Sequence, residues 1–162
     1  MKDIYWIRGN PPVPLAIVHC PSGGRGLHDE LLLMRNKGID TLISLLEADE
    51  ATSMGLSLEG RLAEQVGLLF LSYPMPDACT PPSTTFFRIF IAGLADRLSD
   101  GEVVGVHCRG SIGRSTMVAA CALIHMGWQA RAALTAIAIA RGCPVPDTRA
   151  QEEWILHYRP LP

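Results

Sequence analysis

Two cysteines in this 162-residue chain are followed, after five intervening residues, by an arginine: Cys108 by Arg114, and Cys143 by Arg149. With five cysteines and twelve arginines present, the spacing alone carries little weight. The surroundings separate the two. A loop that holds a phosphoryl group needs several backbone N–H groups converging on one anion. Cys143 is followed by Pro144 and Pro146, which have no N–H, and by no glycine before Arg149. It also follows a predicted helix instead of a strand. The stretch Cys108-Arg109-Gly110-Ser111-Ile112-Gly113-Arg114 contains no proline, and Gly110 and Gly113 permit unusual dihedrals. A predicted strand leads into it and a predicted helix leaves it at about Ser115. A helix N-terminus offers unsatisfied N–H groups and a partial positive charge. Such surroundings acidify a thiol from about 8.5 to roughly 3.5–7.5. Arg114 stays charged, and its planar fork can engage two phosphate oxygens at once. Cys108 is therefore the candidate nucleophile towards a phosphoryl group, and Cys143 is the decoy.

The elements that must position this loop follow from hydrophobic runs and their breakers. Ile4 to Ile7 and Leu15 to His19 read as short strands, and Pro21 to Gly26 as a glycine-rich turn. Leu27 to Lys37 reads as a helix stopped by Gly38, and Leu58 to Val66 as one stopped by Gly67. Thr41 to Leu46, Leu68 to Tyr73 and Glu102 to His107 read as buried strands. A proline-studded loop, residues 74–82, precedes a helix capped by Ser83 or Thr84. Its apolar stripe is Phe86, Phe87, Phe90, Ile91, Leu94 and Leu98. Helices from Ser115 to about Met126, Ala130 to Arg141 and Thr148 to Tyr158 complete the chain; Thr148 and Gln151 form a capping box. Strands alternating with helices predict an α/β sandwich around a largely parallel sheet of about four to five strands, flanked by helices. Its site belongs at the carboxyl ends of the strands, in the loops after Tyr73 and after His107.

Composition narrows the function classes. Hydrophobic residues make up 48% and charged residues 19%, with mean hydropathy +0.21, which excludes a disordered, highly charged chain. Residues 1–162 are expected to form one domain. A net charge of −2 and a pI of about 6.2 create no global field for nucleic acid or anionic membranes. The uncharged stretch from Ser115 to Ala130 is too short for a membrane span. Five cysteines with no Cys-x-x-Cys pair, no clustered histidines and no secretory signal point to free thiols, a cytoplasmic location and no metal site. The sequence gives no oligomeric state.

Val103 to Ser115, with His107-Cys108 at its centre, resembles the signature of the cysteine-based protein tyrosine phosphatase superfamily: His-Cys, five residues, Arg, then Ser or Thr. In that family the general acid is an aspartate in a mobile loop upstream. Asp77 lies 31 residues before Cys108, at the end of the preceding predicted strand. Large tyrosine-specific members carry Trp-Pro-Asp there, whereas this chain has Met75-Pro76-Asp77. The short chain is similar to the compact dual-specificity branch. The low-molecular-weight branch places its cysteine near the N-terminus, which Cys108 does not fit.

The resemblance implies an enzyme hydrolysing phosphotyrosine in phosphorylated proteins or peptides, with phosphoserine and phosphothreonine left open as further substrates. It implies no cofactor. Cys108 would attack phosphorus and form a cysteinyl-phosphate. Arg114 and the amides of Arg109, Gly110, Ser111, Ile112 and Gly113 would bind the oxygens. Asp77 would act as general acid and then base, and Ser115 would donate to the departing thiolate. His107 would orient the loop. Asp147 stands where a water-positioning glutamine is expected, so Gln151 receives no role. Cys79, two residues after Asp77, is read as a small loop residue in preference to a redox partner of Cys108. Three alternatives stay open: a phospho-binding module without turnover, a phosphatase of phosphoinositides or RNA 5′ phosphates, and a rhodanese or arsenate-reductase-like site. The last would not need Asp77. Ser111 and Ile112 make the loop less basic than is usual for lipid-directed relatives, which favours protein substrates.

Overall fold

The computed structural model describes residues 3–162. Its strands are β1 (Ile4–Trp6), β2 (Leu15–Val18), β3 (Thr41–Ser44), β4 (Leu69–Ser72) and β5 (Val104–His107). Its helices are α1 (Leu27–Asn36), α2 (Ala48–Ser53), α3 (Glu59–Gln65), α4 (Thr84–Ser99), α5 (Arg114–His125), α6 (Ala130–Arg141) and α7 (Arg149–Leu156). One sheet runs in the order β1-β2-β5-β3-β4; only β1 is antiparallel to its neighbour. This is the largely parallel α/β architecture that the alternation of elements predicts.

The middle strand is the one that delivers the candidate nucleophile. Val106 of β5 lies level with Ile17 of β2 on one side and Ile43 of β3 on the other. Every residue of β2, β3 and β5 is buried, and the central positions carry apolar side chains or glycine, while the polar Thr41, Ser44 and His107 sit at strand ends. One core cluster joins this sheet to α4, α5, α6 and α7 through Phe87, Ile91, Met117, Ile137 and Ile155. A second cluster on the opposite face includes Leu31, Met34, Leu42 and Ala63. With both faces covered, the carboxyl end of β5 is positioned by packing from both sides of the sheet.

Three local expectations need correction. Leu68 to Tyr73 reads as a buried strand, but β4 is an edge strand, and Leu69 is 43% exposed. A leucine-rich run does not reveal which strand ends the sheet. Phe86 is 70% exposed. The inward stripe of α4 is Phe87, Ile91, Leu94 and Leu98, and the adjacent residue 86 lies about 100° round the helix. Finally, α2 is absent from the sequence reading. Its sequence, Ala-Asp-Glu-Ala-Thr-Ser, has no apolar periodicity and buries no residue. A local polar contact stabilises its start instead: the Glu50 carboxylate accepts from the Glu47 backbone N–H at 3.0 Å.

Candidate active site

Cys108 follows β5 directly and is 2% exposed. Its Sγ lies 3.3 Å from Ser115 Oγ, in the first turn of α5. The chain from 109 to 113 loops between them, and Gly113 caps the helix. Arg109 and Gly110 are exposed, Ile112 is half-buried and Ser111 is buried. The left-handed dihedral expected of the glycines falls on Ser111, at φ +53°. Ser111 is anchored there by its hydroxyl, which donates to the Val18 carbonyl at 2.7 Å. Gly113 has an ordinary φ of −87°, and its missing side chain serves close approach instead. A Cβ there would sit 2.9 Å from Gln151 Oε1 and 3.0 Å from Asp147 Cβ.

Arg114 is the largest fully buried side chain in the described structure, and its five N–H donors can be accounted for one by one. Nη1 and Nη2 donate to the two Glu50 carboxylate oxygens at 2.7 and 2.9 Å. Nη1 also donates to the Met75 carbonyl at 2.9 Å, with the Leu45 carbonyl a longer acceptor at 3.4 Å. Nη2 forms a second ion pair, 3.1 Å from Asp77 Oδ1. Nε is buried and has no partner. The fold therefore brings Asp77, 58% exposed on its loop, to the guanidinium that follows Cys108 in the signature.

Sequence reasoning missed Glu50. Its hydrogen bond to Arg114 outweighs partial burial and holds its carboxyl below the usual range, so it is a carboxylate at neutral pH. No local signal marked it: the short helix that carries it has no apolar periodicity, and its partner lies 64 residues away. Glu50→Gln keeps an acceptor but removes the charge that fixes the guanidinium plane. The expected result is a loss of about 10²-fold in kcat/KM on an aryl phosphate, the scale of an ångström-level misplacement. Steady-state kinetics beside a urea melt would check it; unchanged kcat/KM would mean that Arg114 holds its place without Glu50.

Behind the loop, His107 is fully buried. Its Nε2 lies 2.8 Å from Glu59 Oε1, and Nδ1 lies 3.4 Å from the Cys108 carbonyl. Burial alone would depress its pKa. Hydrogen bonds with Cys20 and Glu59, and the charge on Glu59, overcome this and raise it to about 10. The ring is thus an imidazolium at neutral pH, able to donate from both nitrogens. Because the folded value exceeds the unfolded one, about 6.5, this group's stabilisation is complete below the unfolded value. It is lost as pH rises towards 10. Wild-type Tm is expected to fall over that window. In Glu59→Gln the fall should be shallower from a lower starting Tm, and parallel Tm–pH curves would refute the charged pair.

Two other stretches resolve plainly. Gln151, given no role by the sequence reading, is fully buried; its Nε2 donates to the Cys79 carbonyl at 3.2 Å. It therefore touches both the Asp77 loop and the loop at Gly113. Its position follows from the capping box, in which Gln151 Oε1 accepts from the Thr148 N–H and Thr148 Oγ1 accepts from the Gln151 N–H. Cys79 is exposed with a free thiol. In the decoy segment, Arg149 is 89% exposed and pairs with Glu153 at 3.0 Å, while Cys143 is half-buried. That arginine is engaged on its own helix surface.

Residues 16–128 match a family model described as Tc-R-P, polymorphic toxin system, DSP-PTPase phosphatase. The chain belongs to this family. The DSP-PTPase match is accompanied by likeness to known proteins. The chain is 29% identical over 100 residues to cyclin-dependent kinase inhibitor 3 of Rattus norvegicus, covering 60% of this chain and 47% of that protein. It is 26% identical over 141 residues to putative tyrosine phosphatase 067L of Invertebrate iridescent virus 3, covering 83% and 56%. The chain thus spans about half the length of these curated relatives. Among solved structures, Tk-PTP in its active form superposes with a TM-score of 0.72 at 26% identity, covering 94% of this chain and 92% of that one. Among the described residues no helix is long and apolar enough to cross a membrane.

Proposed function

We propose that this DSP-PTPase family member is a cysteine-dependent phosphatase of phosphotyrosine, and of phosphoserine and phosphothreonine, in proteins. Residues 1–162 act as one catalytic domain, working in the cytoplasm without a metal or cofactor. The observation that carries the reading is the state of Arg114. Its Nε–H is buried and unpartnered, and its Nη2 is shared with the exposed Asp77. A phosphoryl group entering over Cys108 would take these two donors, the bidentate pattern suited to a guanidinium. Asp77 would then be released from the ion pair at the moment its proton-transfer role begins.

The Cys108 thiolate attacks phosphorus in line, forming the S–P bond as the P–O bond to the leaving group breaks. Asp77, protonated, gives its proton to the departing oxygen. Arg114 and the loop amides of 109–113 stabilise the equatorial oxygens. Water then attacks the thiophosphoryl group while the Asp77 carboxylate takes its proton. The S–P bond breaks, and Ser115 Oγ, 3.3 Å from Sγ, donates to the thiolate that leaves.

The test is phosphate release from an aryl phosphate and a phosphotyrosine peptide, with EDTA present. Turnover that survives EDTA supports the reading. A folded protein that binds phosphopeptide but releases no phosphate would replace it with a binding module.

A further inference from the structure

The unusual backbone at Ser111 has a second support, supplied by a residue outside the signature. Arg141, the last residue of α6, donates from Nε to the Ser111 carbonyl at 2.7 Å. Its guanidinium carbon lies 3.9 Å from the centre of the Tyr5 ring, on β1. The cation is therefore held between an aromatic face and a loop carbonyl, and the planar guanidinium suits stacking of this kind. Ser111 is buried, and its hydroxyl is tied to Val18 on the other side. Its φ of +53° is one that a non-glycine residue rarely adopts.

A trans peptide is planar, so the carbonyl of one residue and the N–H of the next point in opposite directions. Holding the Ser111 oxygen towards Arg141 therefore holds the Ile112 N–H on the opposite side of that peptide. If the plane turned over, a carbonyl oxygen would face the anion in place of an N–H. That would exchange an attractive dipole for a repulsive one next to both the thiolate and the phosphate.

We propose that Arg141, stacked on Tyr5, is a positioning residue that locks the 111–112 peptide in its anion-binding orientation. It touches neither substrate nor thiol. It acts through one carbonyl, and it makes the activity of the loop depend on β1 and α6, elements remote from the signature in sequence. The inference rests on the phosphatase reading of residues 108–114.

Two readouts that need no turnover test it. One is the affinity for orthovanadate. The other is the pH at which Cys108 becomes reactive to iodoacetamide. Removing one oxyanion donor in an enzyme costs about 10²–10³-fold in rate. A peptide that is turned only part of the time should cost less, so Arg141→Met is expected to weaken vanadate binding about 10–100-fold. It should also move the alkylation midpoint to higher pH. Arg141→Lys, which keeps the cation but not the Nε–H, should show an intermediate loss and guards against a fold defect in the methionine variant. Tyr5→Leu should shift both readouts in the same direction by less. Arg149→Met removes an equal charge from the surface of α7 and should change neither.

Wild-type vanadate affinity and alkylation midpoint retained in folded Arg141→Met and Arg141→Lys would overturn the proposal. So would equal effects from the Arg149 and Arg141 variants, since net charge would then be the cause. A wild type that fails to bind vanadate at all would instead overturn the phosphate-loop reading on which this one stands.

Discussion

Cys108→Ser is expected to abolish phosphate release, by on the order of 10⁴-fold or more, while the protein still binds phosphopeptide. Oxygen replaces sulfur in a site whose other parts remain: the hydrogen bond to Ser115, the Glu50-braced Arg114 and the loop amides. A serine hydroxyl has no accessible alkoxide in this pH range, and no general base lies within the described contacts of Sγ to activate it. Binding needs only the cradle, whereas turnover needs the thiolate. The two measurements therefore separate in this variant, and Tm should change little for so small a replacement at a buried position. Cys143→Ser in parallel should retain wild-type kcat/KM, because Arg149 is paired with Glu153 on the surface of α7. Loss of activity at Cys143 with retention at Cys108 would mean that the wrong loop had been chosen.

What the sequence made legible follows from where each signal is stored. The central strand and its loop were readable because β5 buries every residue, and because a phosphate loop demands glycine, lacks proline and leads into a helix. Asp77 was readable only through resemblance. Its ion pair with Arg114 spans 37 residues of chain and leaves no local pattern. Glu50 and Glu59 were not readable at all. Each is an acidic residue on a short helix, indistinguishable from a solvated surface group until the fold brings it to Arg114 or His107. Arg141 is of the same kind: it closes α6, where a basic residue is already favoured by the helix dipole. The left-handed residue was misplaced for a different reason. Glycine makes such a conformation easy, but a serine held by bonds from both its hydroxyl and its carbonyl can be kept there instead. Short-range chemistry was visible, and the buried charges that complete it were not.

Asp77→Asn separates acid catalysis from binding. The asparagine is nearly isosteric, but it cannot protonate a leaving oxygen or deprotonate water. Tyrosine leaves as a phenol with a pKa of about 10, so its expulsion depends on that proton. The expected loss in kcat on a phosphotyrosine peptide is about 10²–10⁴-fold, the usual scale for a positioned general acid. An aryl phosphate with a strongly electron-withdrawing ring needs the proton far less, and its intermediate should form at a rate much closer to wild type in a single-turnover burst. The structure adds a consequence for binding. Asp77 Oδ1 lies 3.1 Å from Arg114 Nη2, a donor that the phosphoryl group needs. Asparagine removes the competing negative charge, so vanadate and phosphopeptide should bind at least as tightly as to wild type. A fall in kcat without a rise in dissociation constant, steepest for the poorest leaving group, identifies an acid. A loss of equal size on both substrates, accompanied by weaker binding, would make Asp77 a brace for Arg114 instead.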